Sequence, residues 1–204
     1  DEATIVDYDD TYTNGALAVP DQLGGYRVSS IARRAFAFKS MTRIDIPAGV
    51  TNIGDEVFRG SDRLTEIRVS SSNAAYSHDT AGVLLNKNQT VLLAYPSGRA
   101  GDYEVPPTVT SIEGGRPFGR SPYLTGVTIP AGVTSIEDAS FSFCPALQAI
   151  VVSPSNQDYA SDPAGALFTK DMSEMIQYPG GRPGNYAVPV GVTLIGNQTF
   201  GQSS

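Results

Sequence analysis

The chain has 204 residues, 40% of them hydrophobic, and a net charge of −7 at neutral pH. That composition can bury a core and excludes disorder, while the acidic balance supplies neither the basic face a nucleic-acid binder needs nor attraction to anionic lipid. A single cysteine, Cys144, excludes an internal disulfide and any thiolate metal cluster, and no apolar run approaches the roughly 18 residues of a membrane-spanning helix.

In chain order, residues 1–22 read as an N-terminal opening and capping segment. It holds an apolar run over residues 3–6, the polar loop DYDDTYTNG, and a strand at Leu17 and Val19 closed by Pro20. The chain begins at Asp1 without an initiator Met or a signal-peptide pattern, which reads as a processed or trimmed product. Residues 23–204 carry a repeat. MTRIDIPAGVTNIGDEVF places Met41, Ile44, Ile46, Val50, Ile53 and Phe58 in slots that return 83 residues later as Leu124, Val127, Ile129, Val133, Ile136 and Phe141. The Ile-to-Phe half recurs at Ile31/Phe36, Ile112/Phe118 and Ile195/Phe200, giving about five turns of a solenoid in which each turn leans on its neighbours.

Each L-x-x-I-x-I-P segment alternates as a short strand ended by proline. Acidic residues before the Phe, Asp55–Glu56 and Glu137–Asp138, predict a brief helical turn at that corner. Hairpin-bearing inserts fall near 71–104 and 154–187. There GVLLNKNQTVLLAYP and GALFTKDMSEMIQYP each set apolar runs around a polar turn. The inserts also repeat at the 83-residue spacing: Asn73, Tyr76, Tyr95 and Tyr103 return as Asn156, Tyr159, Tyr178 and Tyr186. The recurrent tyrosines are expected in the core of the inserts.

Those segments, together with LTEIRV and the NAAYSHDTAGVLLNKNQTVLLAYPSGRAGDYEVPPTVTSI block, resemble the BspA-like class of bacterial leucine-rich repeats over nearly the whole chain. The resemblance implies a mainly β, right-handed leucine-rich-repeat solenoid with short strands, brief helical turns and β-hairpin inserts. It also implies a place outside a bacterial cell, on its surface or secreted, with roles in adhesion or host interaction. Two departures stand out. The family's Cys after the Phe is kept only at Cys144, with Gly60, Ser121 and Ser40 read in its place elsewhere, and its Gly after the Ile is Ala32, Glu113 and Glu137 in three turns.

No catalytic constellation is legible. His78 is the sole histidine and its counterpart at the repeat spacing is Ser161, so it reads as a solvated loop residue. Cys144 reads as a small buried hydrophobe. Asp10, Asn14, Gly15 and Asp21 match EF-hand positions, but Tyr12 stands where an oxygen ligand belongs, so a turn is expected rather than a calcium site. The acidic pairs recur with the repeat, GGRPFG and GGRPG lack the strand-to-helix setting of a phosphate loop, and Asn88 and Asn197 lie in glycosylation-type sequons of no weight in a bacterial chain. A carbohydrate-active enzyme built on Asp10 or His78 is the weakest reading. The expectation is no enzyme, no cofactor and no metal.

What remains is surface. Strand alternation points Arg43, Asp45, Glu66, Arg68, Thr128, Gln148 and Val151 outward, and stacked turns would align them as one band. The reading is a monomeric, non-catalytic repeat protein whose band contacts an extracellular protein or glycan, without nucleic acid or membrane insertion. The alternative is a spacer or scaffold segment of a larger surface protein, since the chain stops at Ser204 before the next repeat's Leu.

Overall fold

The computed structural model describes residues 2–9 and 15–201. Nineteen short strands alternate with turns, and no helix occurs among the described residues. The opening segment forms β1 (Glu2–Ile5), β2 (Ala16–Ala18) and β3 (Gln22–Leu23), followed by β4 (Tyr26–Ile31). The first full turn gives β5 (Arg43–Ile46) and β6 (Asn52–Ile53), and the next opens with β7 (Glu66–Val69). The first insert contributes β8 (Tyr76–His78), β9 (Leu84–Asn86) and β10 (Val91–Ala94). The duplicated half repeats the plan with β11 (Gly101–Glu104), β12 (Ser111–Ile112), β13 (Leu124–Ile129), β14 (Ser135–Ile136) and β15 (Ala149–Val152). The second insert holds β16 (Tyr159–Ser161), β17 (Leu167–Thr169) and β18 (Glu174–Gln177), and β19 (Leu194–Ile195) follows.

The pairing is that of a β-solenoid. On one side, β2, β5 and β7 form one parallel sheet and β11, β13 and β15 another. On the other, β1, β4 and β6 run parallel with β3 added antiparallel, and β10, β12 and β14 run parallel beyond the first hairpin. The second hairpin, β16–β17–β18, passes the ladder on to β19. Both inserts are antiparallel hairpins, as their apolar runs predict.

The repeat slots of the earlier turns point inward as read, whereas Ile195 and Phe200 in the last turn are exposed. Ile44, Ile46, Val127, Ile129, Val50 and Val133 are buried, and the phenylalanines stack along the axis, with Phe118 on Phe141 at 4.9 Å and Phe36 on Phe58 at 6.0 Å. Tyr95 fills the same slot in the insert turn, 5.3 Å from Phe118. The inserts act as partitions. Strand alternation sends Leu84 into the first core cluster and Val83 and Leu85 into the second; Leu167 closes the second, while Ala166 and Phe168 face a third. This two-sided burial explains why GVLL and GALF are apolar throughout.

Two details depart from the sequence reading. The corner before each Phe is not helical. Arg34, Glu56, Arg116 and Ala139 adopt φ between 54° and 64°, and Phe38, Arg120 and Phe143 do so four residues later at 58° to 61°. Residues in that basin cannot continue a right-handed helix. Cross-turn backbone bonds fix it instead, such as Phe36 N–H to Val57 O at 3.0 Å and Phe118 N–H to Ser140 O at 3.1 Å. Second, Ile53 and Ile136 are only half-buried, whereas Ile31 and Ile112 are fully buried. Ile53 and Ile136 are followed by a hairpin turn that stands off, leaving cavities of about 120 and 190 Å³ beside them.

Phe141→Ala removes a ring stacked inside this column, and its loss costs about 3–5 kcal/mol from transfer and cavity terms. Chemical denaturation checks it; a loss below about 1 kcal/mol would place Phe141 outside the core.

Candidate functional site

The duplicated fold has a recurrent problem and a recurrent solution. Where a hairpin insert follows a plain turn, the parallel ladder stops, and the edge strand's N–H groups need other partners. On β7, Ile67 N–H donates to Gly82 O at 2.9 Å and Val69 N–H donates to His78 Nδ1 at 3.0 Å. On β15, Ile150 N–H donates to Gly165 O at 2.9 Å and Val152 N–H donates to Ser161 Oγ at 3.1 Å. On the opposite side, Ile53 and Ile136 N–H donate to the hydroxyls of Tyr76 and Tyr159, at 2.9 and 3.0 Å. His78 is therefore a half-buried strand residue that accepts a backbone bond, not a solvated loop residue; Ser161 does the same work with a hydroxyl.

The buried asparagines complete the seam. Asn73 Nδ2 donates to Pro47 O and Val50 O at 2.9 and 2.8 Å, while its Oδ1 accepts from Ala75 and Tyr76 N–H, both at 2.8 Å. Asn156 repeats this with Pro130, Val133, Asp158 and Tyr159. One further pair is absent from the sequence reading. Tyr103 OH donates to Asp79 Oδ2 and Tyr186 OH donates to Asp162 Oδ2, each at 2.7 Å. Asp79 and Asp162 also stand 83 residues apart, so the repeat spacing carried the signal.

The titratable groups with displaced pKa values belong to this frame. Burial pushes the Tyr95 phenol up to about 12 and raises Tyr103, to which the Asp79 carboxylate adds. Burial likewise pushes the Cys144 thiol up to about 12, and Sγ donates to Phe118 O at 3.1 Å. The matching hydroxyl is Ser61 Oγ, 2.7 Å from Phe36 O, so Ser61 rather than Gly60 takes the cysteine's place in that turn. Burial works to raise the Glu56 carboxyl, but hydrogen bonds from Arg59 and Arg34 outweigh it and hold it low. Arg33 completes a three-arginine clasp on that side chain. Among the described residues no three His, Cys, Asp or Glu side chains gather as metal ligands would. Of the calcium-like pattern, Asp10, Tyr12 and Asn14 lie outside the described residues; Gly15 O accepts from Thr42 N–H and Asp21 O from Val28 N–H.

Six of the seven outward residues fall on two sheets rather than one, and Gln148 lies just before a strand. Arg43 stands opposite Glu66 and Asp45 opposite Arg68 on β5 and β7. Ion pairs also run along each strand, Arg43–Asp45 at 3.2 Å and Arg68–Glu66 at 2.8 Å. In the other sheet Thr128 stands between Glu104 and Val151, and Val151 is 51% exposed. Gln148 precedes β15, and its Nε2 donates to Gly181 O at 2.6 Å. The 79–83 loop intervenes, bonded to β7 through Gly82 and to β11 through Asp79. The duplication makes the comparison sharp: Arg43, Asp45, Glu66 and Arg68 correspond to Gly126, Thr128, Ala149 and Val151. Inward slots keep their character between the copies, and the outward quartet changes from fully charged to uncharged.

Two outcomes test the structural assignments. His78→Ser stays within about 0.5 kcal/mol of the parent in urea denaturation, whereas His78→Ala strands the Val69 N–H and costs about 1–3 kcal/mol; equal costs would refute the shared role. Tyr95, raised above the ordinary value of ~10, contributes stability that is complete below pH ~10 and is lost as pH rises through ~12. Tyr95→Phe should flatten that alkaline decline, followed by phenolate absorbance together with denaturation midpoints.

Comparison with known proteins agrees with this architecture. Six copies of the family described as BspA type leucine-rich repeat region match residues 26–80 and 100–164, more than half of the chain. No curated protein matches it. Among solved structures, a leucine-rich repeat protein from Eubacterium ventriosum is 20% identical with a TM-score of 0.51, the match covering 86% of this chain and 68% of that one. The pneumococcal vaccine antigen PcpA is 17% identical with a TM-score of 0.56, covering 98% of this chain and 56% of the antigen's. A leucine-rich cell surface protein from Faecalibacterium prausnitzii is 21% identical with a TM-score of 0.45, covering 94% and 61%. With its repeat slots, stacked phenylalanines and duplicated hairpin turns accounted for, the chain belongs to the BspA-type leucine-rich repeat family.

Proposed function

We propose that the chain is a non-catalytic display scaffold on or outside a bacterial cell, contacting an extracellular protein or glycan in adhesion or host interaction. One observation carries this reading: the two copies of the scaffold hold their inward residues and exchange the outward quartet, from Arg43/Asp45/Glu66/Arg68 to Gly126/Thr128/Ala149/Val151. Positions the fold does not constrain are free to serve recognition. The first sheet's charges largely neutralise one another, and exposed pairs of this kind add little stability. The second sheet offers Thr128 in register with the half-exposed Val151, an uncharged patch bordered on β11 by Asp102 and Glu104, and an uncharged centre of this kind is what a partner can dehydrate. The bacterial family and the antigen of shared fold support the extracellular setting. The buried titratable groups described above are engaged in structural contacts, which supports a scaffold rather than an enzyme.

A spacer role is the second reading. It is favoured by β19, whose Leu194 and Ile195 lie half-exposed on the outer strand of its sheet, where a further turn could stack.

The test is binding of the intact chain to immobilised extracellular matrix proteins and to a glycan array, beside a Thr128→Asp/Val151→Asp variant and an Arg43→Glu/Arg68→Glu variant. The expected outcome is a signal reduced about tenfold or more in one variant, with unfolding free energy unchanged to about 0.5 kcal/mol. A blank wild-type result on both surfaces favours the spacer.

A further inference from the structure

Away from both sheet faces, the left-handed corner residues build a notch that the repeat alone does not require. Phe38, Gly60, Arg120 and Phe143 occupy the second left-handed position in four plain turns. Between Gly60 and Arg120 comes the shorter corner of the first insert, AYPSG, which packs lower, with Gly98 against the backbone of residues 62–64. The result is an open depression of about 300 Å³ lined by Phe38, Gly60, Asp62, Arg120, Phe143 and two prolines, Pro122 and Pro145. Phe38 lies over Gly60, where even a Cβ would come within 2.6 Å of the ring, and it remains 62% exposed. The Arg120 guanidinium sits between two phenyl rings, 5.5 Å from the centroid of Phe38 and 5.1 Å from that of Phe143. Arg120 Nε is buried without a hydrogen-bond partner, and Arg120 forms no ion pair among the described residues.

We propose that this notch is a binding site for a neutral saccharide, one or two pyranose residues in size. The volume is at the small end of ligand sites, about 300–1,000 Å³. Its chemistry is a donor-only guanidinium, an acceptor-only carboxylate in Asp62, and flat apolar walls of phenyl and proline. A ligand that satisfies all three must carry closely spaced hydroxyl donors and acceptors on a ring with an apolar C–H face, which is the description of a pyranose. An acidic peptide or acidic sugar would meet Asp62 and a chain of net charge −7. A phenyl ring presents the negative face of its quadrupole, which favours both the guanidinium and the polarised C–H groups of a sugar. The backbone beneath the platform is tied across turns, because Phe38 N–H donates to Arg59 O and Arg120 N–H to Ser142 O, each at 2.9 Å. Pre-organisation lowers the ordering cost of association.

The site goes beyond the sheet-face reading and is separable from it. The experiment is saturation-transfer NMR and calorimetry of the full chain with a panel of neutral hexose and N-acetylhexosamine oligosaccharides, alongside an acidic peptide and a proline-rich peptide. The expected result is that at least one neutral oligosaccharide binds. Its affinity should fall about tenfold or more in Phe38→Ala and in Arg120→Ala. Asp62→Asn should weaken it as well, while Thr128→Asp/Val151→Asp leaves it unchanged. Phe38 is exposed, so its replacement preserves the fold, and circular dichroism verifies that; Arg120→Lys, which keeps the charge and loses the planar stack, serves as the second variant and should also bind more weakly. No saccharide binding, binding indifferent to Phe38 and Arg120, or capture of either peptide in place of the sugars overturns the proposal. Loss of matrix-protein binding in the sheet variants alone would leave the sheet reading standing when the notch reading fails.

Discussion

The structure depends on satisfying the backbone at the two seams where its parallel ladders stop. A solenoid of this kind buries nothing within a single turn, so each strand needs a neighbour on both sides for its N–H and C=O groups and for its apolar face. A hairpin insert after every second turn withdraws that neighbour. The molecule replaces it with side chains at fixed places: His78 or Ser161 for one N–H, Tyr76 or Tyr159 for another, and Asn73 or Asn156 for the loop of the preceding turn. These groups explain why a chain with such short strands holds together as one stack.

The same seams decide where the surface becomes useful. A continuous ladder would give one uniform outward band. The inserts cut it into two sheets whose outward chemistry is uncoupled, one with mixed charges paired along its strands, the other uncharged on β13 and β15 and acidic on β11 through Asp102 and Glu104. They also leave recesses, since a hairpin turn does not follow the corner path of a plain turn. Two recesses lie beside Ile53 and Ile136, and a third forms between Gly60 and Arg120. In the third, the exposed aromatic and the cation are brought together by stacking, although Phe38 and Arg120 come from turns far apart in the chain.

Much of the fold was legible because apolar slots repeat. Ile44, Val127, Phe58 and Phe141 announce their direction through spacing alone, and the hairpins announce themselves through apolar runs around a polar turn. The helical turn at each corner failed for a local reason. Acidic residues favour a helix start, but the cross-turn bonds at Phe36 and Phe118 demand a left-handed residue before and after the Phe, and tertiary hydrogen bonds overrode the local preference. The cysteine slot belongs to Ser61 and not to Gly60: the 83-residue spacing from Cys144 already leads to Ser61, and the bond from Ser61 Oγ to Phe36 O matches that of Cys144 Sγ to Phe118 O.

The sequence by itself determined the repeat, the inward face and the hairpin inserts, since these follow from periodic burial, and its motifs carried the resemblance to the bacterial leucine-rich repeat class. It also held the Asp79–Asp162 recurrence, without showing that a tyrosine hydroxyl closes each one. Only the tertiary structure decided that His78 supports a strand edge, that the outward residues divide into two sheets, and that Phe38, Arg120 and Phe143 meet. The reason is physical. Periodicity records which side of a strand is buried, whereas side-chain partners across turns depend on how the stack is offset where its ladder breaks.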